Sequence, residues 1–319
     1  MNKSKIQLKE ALQLIARNEH MKSYIQRSSE LYPLLLRAAK RFVTGESRKE
    51  GIETATELKA KGYHLSLEYI GENTRSLEGS RMAKNEFLNL MKDLNALSMK
   101  ETISLDLSHI GLSLDPETAF IHLSELAEQA NAFDMNLMIS MEESAKTDLI
   151  FNIYKKAVEQ YPNIGITMQA NLYRTPKDIE VIKHYPGKIR LVKGAYKEPS
   201  EIAMSRSKEL DRRYLQLVDE LINAGHPLSI ATHDEMLLKE MEHRQYFNNP
   251  NVEIEMLYGI QSEQLKDLKN KGYKTRVYTT YGKEWYLYLC HRLAEYPENI
   301  YTALINIIHP KTTVYRDTY

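Results

Sequence analysis

Residues 190–196 read Arg-Leu-Val-Lys-Gly-Ala-Tyr, a short apolar segment that carries two cations. It is one of eight such segments between about residue 64 and residue 280, and nearly all of them alternate apolar with polar side chains. This alternation indicates β-strands whose two faces meet different surroundings. In a buried strand, Arg190 and Lys193 need an anion or strong acceptors, because burying an unpaired cation costs several kcal/mol. A flavin or a phosphate would supply such groups.

The eight segments determine the expected fold class. The predicted strands are residues 64–70, 102–107, 137–141, 165–170, 188–193, 228–232, 252–257 and 274–279. Helical patterns separate them, for example at residues 115–133, 146–160, 200–224 and 262–271. Eight alternating strand and helix units predict an α/β protein with a (β/α)8 TIM-like barrel, whose active site lies at the C-terminal ends of the strands. A doubly wound open sheet is the competing fold, but no Gly-x-Gly-x-x-Gly motif follows the first strand.

The length of 319 residues suits one large barrel with an appendage. We expect an N-terminal helical arm at residues 1–62, with helices at 6–16, 23–43 and 46–61. The barrel is expected at residues 63–308, with its final helix over the barrel mouth, and a C-terminal tail at 309–319. The 43 basic and 43 acidic residues cancel, so no net charge favours nucleic-acid binding.

Cysteine content and hydropathy favour a reducing, aqueous compartment. Cys290 is the single cysteine, which excludes an internal disulfide, and we predict that it packs as an apolar side chain. The N-terminus lacks the apolar core of a signal peptide, and no run approaches the roughly 18 apolar residues of a membrane span. We therefore expect a cytoplasmic protein with no transmembrane segment and no metal site.

One of the two alternating sets of side chains is polar along the whole barrel. Its members are Ser66, Glu68, Ser104, Asp106, Ser140, Glu142, Thr167, Gln169, Arg190, Ser229, His233, Glu253, Glu255, Arg276 and Tyr278. The apolar set would pack on the surrounding helices, so the polar set would face the lumen. Polar residues on all eight strands predict a site for a polar ligand.

The last predicted helix carries a second candidate surface. Tyr288, Arg292 and Glu295 recur at helical spacing on one face, Trp285 lies on the same face, and His291 adjoins it. Such a stripe could close over the barrel mouth. A solvated face with an Arg292–Glu295 pair is the alternative, and spacing alone leaves both open.

Taken in order, several segments of the chain resemble the proline dehydrogenase family of FAD-dependent flavoenzymes, which are distorted (β/α)8 barrels. The resemblance spans about residues 40 to 300. It is carried by Arg-Phe-Val-Thr-Gly-Glu at 41–46, Leu-Glu-Tyr-Ile-Gly-Glu at 67–72, Met-Gln-Ala-Asn-Leu-Tyr-Arg at 168–174, residues 190–196, Ala-Thr-His at 231–233, Glu-Met-Leu-Tyr-Gly at 255–259, Tyr-Gly-Lys-Glu-Trp at 281–285 and Arg-Leu-Ala-Glu at 292–295.

The resemblance implies an FAD site at the strand ends. The positions that match the family's flavin contacts are Gln169, Arg190, Lys193, Gly194, Ala195, Thr232 and His233. Arg190 matches the arginine beside flavin N5, and Glu295 matches an acid near the ribityl or ribose region. From the residues alone, Arg190 and Lys193 could instead form structural ion pairs with Glu253 or Glu255. A quinone is the electron acceptor that the resemblance implies, which would place the protein in the cytoplasm or peripherally at the membrane.

The substrate site departs from the family pattern. The family places a lysine where this chain has Asp106, and places that lysine's aspartate partner where this chain has Ser140. The family's paired arginines on the last helix correspond to His291 and Arg292. In the family the lysine and both arginines hold the carboxylate of the amino acid. With His291 neutral, this chain lacks two positive unit charges there, a loss worth several kcal/mol in a partly buried site.

Three further positions match residues that enclose the substrate ring in the family, namely Leu257, Tyr278 and Tyr288. We therefore predict a dehydrogenase that oxidises a cyclic or secondary amine other than free L-proline, with Asp106 binding the amine or accepting its proton. Three alternatives stay open. They are a flavin-dependent reductase like methylenetetrahydrofolate reductase, a class I aldolase with a Schiff base on Lys193, and a flavin-binding homologue without dehydrogenase activity.

Overall fold

The computed structural model describes residues 11–12, 14–15, 18–295, 301 and 318–319. Eight parallel strands form a closed barrel in sequence order, which confirms the predicted fold class. The strands are β1 (His64–Tyr69), β2 (Thr102–Leu105), β3 (Asn136–Ile139), β4 (Ile164–Gln169), β5 (Ile189–Val192), β6 (Leu228–Ala231), β7 (Val252–Leu257) and β8 (Thr275–Tyr281). β8 closes the barrel on β1, with Tyr278 opposite Ser66.

Helices precede the barrel and follow each of its strands. Those before the barrel are α1 (Glu19–Arg27), α2 (Leu31–Ala39) and α3 (Arg48–Ala60). Those after the strands are α4 (Leu77–Ala96), α5 (Pro116–Ala132), α6 (Thr147–Val158), α7 (Thr175–Ile182), α8 (Lys208–Asn223), α9 (Glu235–His243), α10 (Ser262–Asn270) and α11 (Trp285–Glu295). No helix in the described ranges is both long enough and apolar enough to cross a bilayer.

Local capping explains where the helices begin. Ser47 and Glu50 form a reciprocal capping box at the start of α3. Asp115 caps α5 and Ser207 caps α8 with their side-chain oxygens. The Ser207 cap explains why the helix predicted from residue 200 starts at Lys208.

The single helix predicted at residues 23–43 is wrong. The chain leaves the helix at Ser28, whose side chain accepts from the Leu31 amide and starts α2. Strand bounds agree with the predictions to within two residues. β2 ends two residues early because a turn begins at Asp106, and β3 also ends two residues early. Most of the helix predicted at 6–16 and most of residues 296–319 lie outside the described residues. The division into arm, barrel and tail stays a prediction.

The final helix lies beside the strand ends, as expected. Trp285, Leu289 and Cys290 of α11 pack in one apolar cluster with α2, and Ile70 and Leu257, at the ends of β1 and β7, border the same cluster. The position of Trp285 corrects the sequence interpretation. Its buried ring packs 5.3 Å from the Tyr32 ring, and its indole donates to Glu46 at 3.1 Å, so it faces α2 and not the barrel mouth.

Helix α3 covers the outer face of the barrel seam. It packs on β1 and β8, with Gly51 so close to Tyr281 that an added Cβ would lie 3.0 Å from the ring. The end of the lumen nearer the strand starts is filled by charge. Glu253 receives hydrogen bonds from Arg276 and Lys188, which outweigh burial and hold the pKa of Glu253 at about 2.

Candidate active site

Arg190 lies in the middle of the lumen and contacts three other strands. Its Nε and Nη2 atoms donate to the two carboxylate oxygens of Glu255, each at 2.8 Å. Nη2 also donates to Ser104 at 2.9 Å and to Ser66 at 3.2 Å. Because these partners come from β7, β2 and β1, the guanidinium spans the barrel interior. This confirms that the polar set faces the lumen around Arg190.

The Arg190–Glu255 pair is almost fully buried, with side chains 5% and 3% exposed. Burial alone would raise the pKa of Glu255, but the charge of Arg190 outweighs it and holds that pKa below its ordinary value. Ser229 donates to the same carboxylate at 2.6 Å. Among the described residues none accepts from Nη1 of Arg190. The ion pair therefore orients the guanidinium and leaves one donor nitrogen for a ligand.

Tyr278 connects Arg190 to a second acid, Glu68. The Arg190 guanidinium lies 4.8 Å from the centre of the Tyr278 ring, and the Tyr278 hydroxyl donates to Glu68. Glu68 is 9% exposed. Burial raises its pKa to about 7, although the hydrogen bond from Tyr278 and the charge of Arg190 act in the opposite direction. A carboxyl group with this pKa can exchange a proton near neutral pH.

Asp106 follows directly after β2 and shares the electrostatic environment of Glu68. Burial is the main cause that raises its pKa well above the ordinary value, and the neighbouring charges of Glu68 and Glu142 raise it further. No described residue donates a hydrogen bond to its carboxylate. Glu68 lies opposite Ser104 in the β1–β2 ladder, two residues before Asp106, so the two acids form a carboxyl pair on the β1 and β2 side of the lumen, and the pKa of each is raised.

Sequence reasoning placed Glu68 in the lumen but did not select it as a site residue. Its position in the alternating set and in the 67–72 motif was the available signal. Glu142 and Lys146 were also missed. Glu142 is fully buried, accepts from the Ser108 amide at 2.9 Å and from Lys146 at 2.6 Å. Lys146 donates to Asn73 as well and lies 3.2 Å from Glu143.

The ends of β4 and β5 form a recess with unused acceptors. Gln169 is 3% exposed, and its Nε2 donates to the Glu142 carbonyl at 2.8 Å. Its Oε1 and the Oδ1 of Asn171 are buried without a donor from the described part of the chain. Gly194 has φ +106°, and an added Cβ would lie 2.0 Å from Asn171 Oδ1. A side chain at position 194 would therefore close the recess.

Lys193 does not form the ion pairs with Glu253 or Glu255 that the sequence left open. Its ammonium instead donates to Asp211 and Asp234 at the outer edge of the strand ends. Both of these contacts are ion pairs with carboxylates, and they engage the nitrogen that a Schiff base would use. Thr232 accepts from the Asp234 amide at 3.2 Å. Ala195 is exposed beside the recess.

His233 is neutral and has a defined tautomer. Its Nε2 accepts from the Leu257 amide at 3.0 Å, so the ring proton is on Nδ1. Burial lowers its pKa to about 3, and the nearby charge of Arg292 lowers it further. Leu257 ends β7 and is half-buried next to it. His233 therefore acts as a neutral hydrogen-bonding group at physiological pH.

The last helix brings one cation to the strand ends. Arg292 lies 5.0 Å from the Tyr288 ring centre, and its charge acts on both Glu68 and His233. The side chains of His291 and Glu295 are outside the described part of the chain. Cys290 is buried, and burial raises the pKa of its thiol to about 11, which confirms the prediction of a packed side chain.

The sequence-predicted residues, together with Glu68, thus lie toward one end of the barrel on three groups of elements. β4, β5 and β6 contribute Gln169, Arg190, Lys193, Gly194, Ala195, Thr232 and His233. β1, β2, β7 and β8 contribute Glu68, Asp106, Leu257 and Tyr278, and α11 contributes Tyr288 and Arg292. Within the described ranges, no group of three or more His, Cys, Asp or Glu side chains could hold a metal ion.

Comparison with known proteins identifies one family. The sequence model described as "Proline dehydrogenase" matches residues 51–300. Proline dehydrogenase 1 of Bacillus subtilis subsp. natto is 31% identical over 275 residues, which cover 85% of this chain and 90% of that protein. The proline dehydrogenase of Deinococcus radiodurans is 29% identical over 269 residues, which cover 82% of this chain and 87% of that protein.

A solved structure shares the fold. Proline utilization A from Bdellovibrio bacteriovorus, inactivated by N-propargylglycine, superposes with a TM-score of 0.77 at 18% identity. The match covers 91% of this chain but 36% of that one, so the present chain spans about a third of its length. At this identity the likeness supports the barrel architecture alone.

Proposed function

Because the chain belongs to the proline dehydrogenase family, we propose that it is an FAD-dependent dehydrogenase that oxidises a cyclic or secondary amine, and that free L-proline is not its preferred substrate. Family membership indicates an oxidoreductase acting on a CH–NH group. The observation that carries the finer proposal is the Glu68–Asp106 carboxyl pair beside Tyr278 and Arg190, where a substrate amine could lose a proton.

The residues around the strand ends fit a flavin. Gln169 Oε1 and Asn171 Oδ1 are buried acceptors that a ligand donor would satisfy, and Gly194 keeps the recess between them open. Arg190 offers Nη1 as a donor held in place by Glu255. We propose that FAD is held by the predicted set, which is Gln169, Arg190, Lys193, Gly194, Ala195, Thr232, His233 and Glu295. A bound flavin would accept the hydride that the carbon next to nitrogen gives up.

The protein side chains prepare the amine for that transfer. A protonated amine has no lone pair to stabilise the forming C=N bond, so it must lose its proton first. The Glu68–Asp106 pair can take that proton, because the pKa of Glu68 is raised to about 7. The substrate then loses a hydride and becomes an iminium ion, a two-electron oxidation. Tyr278 keeps the Glu68 carboxyl oriented through its hydroxyl.

Electrostatics argue against a free carboxylate at this place. Asp106 and Glu68 present acidic groups, and the nearby Lys146 is already engaged by Glu142, Glu143 and Asn73. Among the described side chains of α11, Arg292 is the cation that acts on Glu68. An amino-acid carboxylate would therefore bind less tightly here than in the family site. Two fewer positive unit charges correspond to a loss on the order of a hundredfold in affinity.

Anaerobic bleaching of the bound flavin by a panel of amines tests the proposal. The panel contains L-proline, L-prolinamide, pyrrolidine and 2-(aminomethyl)pyrrolidine, and NADH serves as a control for a reductase. We expect an amine without a carboxylate to bleach the flavin and L-proline to bleach it far more slowly. Bleaching by NADH but by none of the amines would contradict the dehydrogenase assignment, and a protein that binds no flavin would do so as well.

The electron acceptor and location belong to the same proposal. A quinone acceptor at the membrane surface is supported by family membership alone. Reoxidation of the bleached flavin by a soluble quinone, measured against reoxidation by oxygen, tests it. A quinone that reoxidises the flavin no faster than buffer does would contradict this part.

A further inference from the structure

The carboxyl groups of Asp106 and Glu68 indicate which chemical groups the substrate carries. Asp106 has no hydrogen-bond donor among the described residues, and one oxygen of Glu68 has none either, since Tyr278 donates to the other. Unused acceptors at one place require a ligand that brings donors.

Acidic groups dominate the surroundings of Asp106, whereas the cations Arg190 and Arg292 act on Glu68 and lower its pKa. Glu68 and Glu72 face Asp106 from β1 and from the segment after β1, Glu142 faces it from the segment after β3, and each raises the pKa of Asp106. Lys146 opposes them weakly, because its donors are directed to Glu142, Glu143 and Asn73. Tyr196 also lies near and is neutral, since burial and these acids raise its pKa well above the ordinary value.

The carboxyl pair and the recess proposed for the flavin lie on different sides of the lumen. Glu68 is tied to Tyr278, and Tyr278 covers Arg190, so the pair lies on the β1 and β2 side of the lumen. The recess at Gln169, Asn171 and Gly194 lies on the β4 and β5 side. A ring held between them would present its exocyclic group to the acidic side.

We propose that the substrate is a cyclic amine with a second, protonated nitrogen on the exocyclic branch, and that Asp106 together with Glu68 binds that cation. This rests on the proposed function, because it names the substrate class of the same site. The pair becomes ionised when the cation arrives, so binding releases a proton to the solvent. The ring nitrogen then gives its proton to the same pair before hydride leaves the adjacent carbon.

Two ring-oxygen compounds isolate the recognition step from oxidation of a ring amine. Tetrahydrofurfurylamine carries the exocyclic ammonium, and tetrahydro-2-furoate carries a carboxylate in its place. Isothermal titration of the flavin-loaded protein at pH 7 should show the ammonium compound binding about tenfold tighter or more, after allowing for solvent screening of a partly buried site. Titration in two buffers of different ionisation enthalpy should show proton release for the ammonium compound.

Variants of Asp106 separate charge from shape. Asp106→Asn should remove most of the preference and reduce the proton release, and Asp106→Lys should reverse the preference toward tetrahydro-2-furoate. Glu159→Lys makes the same charge change at an exposed position on the end of α6 and should leave the preference unchanged. Wild-type protein that binds the carboxylate as tightly as the ammonium, or binds neither, would overturn the proposal without any variant.

Bleaching by 2-(aminomethyl)pyrrolidine distinguishes this proposal from the proposed function. Preferential binding of tetrahydrofurfurylamine without bleaching by any amine would contradict the dehydrogenase and support the cation site. Rapid bleaching by L-proline with preferential binding of tetrahydro-2-furoate would support the dehydrogenase and overturn the cation site.

Discussion

Replacing Arg190 with Met should have two separable effects, one on stability and one on the flavin. The substitution leaves the Glu255 carboxylate, 3% exposed, without its bidentate partner. Removing one member of a buried ion pair costs about 3–5 kcal/mol, because the remaining charge stays desolvated. We therefore expect the free energy of unfolding to fall by about that amount in Arg190→Met.

Adding Glu255→Gln to this variant should recover a large part of the stability. The glutamine amide is neutral and nearly isosteric with the Glu255 carboxylate, and Ser66 and Ser229 can still bond to it. The coupling energy of the double-mutant cycle should be about 2–3 kcal/mol. Flavin reduction should not recover, since the donor that Arg190 offers is still absent, and losing one such donor typically slows a reaction about 10²–10³-fold.

The assays are urea unfolding followed by circular dichroism, and anaerobic stopped-flow bleaching by the most active amine. The matched control is Arg276→Met with Glu253→Gln, which removes a similar buried pair at the other end of the lumen. It should leave flavin reduction unchanged. If the Arg190→Met/Glu255→Gln double variant reduces flavin as fast as wild type, Arg190 has a structural role only and the reasoning is refuted.

Three further predictions concern the proton, the recess and the cofactor. The pKa of Glu68 is about 7 in the folded protein against an ordinary 4.5, so this carboxyl favours folding below about pH 4.5 and loses that contribution as pH rises through 7. Glu68→Gln should therefore be more stable than wild type at pH 8 by up to about 3 kcal/mol, as measured by urea unfolding. A stability difference that does not shrink toward pH 5 would contradict this prediction. Gly194→Ala should lose flavin on gel filtration. The control Gly225→Ala, where an added Cβ meets nothing within 4 Å, should keep its flavin. Equal retention of flavin by the two variants would refute the role of the recess. The purified protein should be yellow and release FAD on acid precipitation; flavin that stays with the precipitate would refute non-covalent binding.

Much of the fold follows from local patterns in the sequence. Alternating polarity predicts all eight strands, and the inward polar face follows from the period of a strand. The helix break at Ser28, where the side chain accepts from the Leu31 amide, was not predicted because the apolar pattern continues through this position.

The site was predictable as a set of residues but not as a set of partners. Glu253 and Glu255 both face the lumen, and the stagger of the closed barrel decides that Arg190 meets Glu255. Lys193 pairs with Asp211, which lies in α8, and with Asp234, which caps the start of α9, at separations of 18 and 41 residues along the chain. Such pairings depend on three-dimensional register, which one sequence does not encode locally.

The protonation of the carboxyl pair could not be predicted either. Burial raises the pKa of both Glu68 and Glu255, and the difference between them arises because Arg190 pairs directly with Glu255, whereas Glu68 receives its hydrogen bond from the Tyr278 hydroxyl. The alternating pattern placed Glu68 in the lumen without indicating its depth.

Turnover of L-proline is the most direct test of the altered substrate site. Wild-type protein should reduce its flavin with L-proline at least about a hundredfold less efficiently than a variant with the substitutions Asp106→Lys, Ser140→Asp and His291→Arg. The three changes act on one ligand, so their joint effect on kcat/KM should exceed that of any single change. The measurement is anaerobic stopped-flow bleaching over a range of L-proline concentrations, with L-prolinamide as the uncharged comparison. We expect wild type to prefer L-prolinamide and the triple variant to prefer L-proline. Rapid bleaching of the wild type by L-proline, with a KM in the low-millimolar range or below, would contradict the proposed change of substrate.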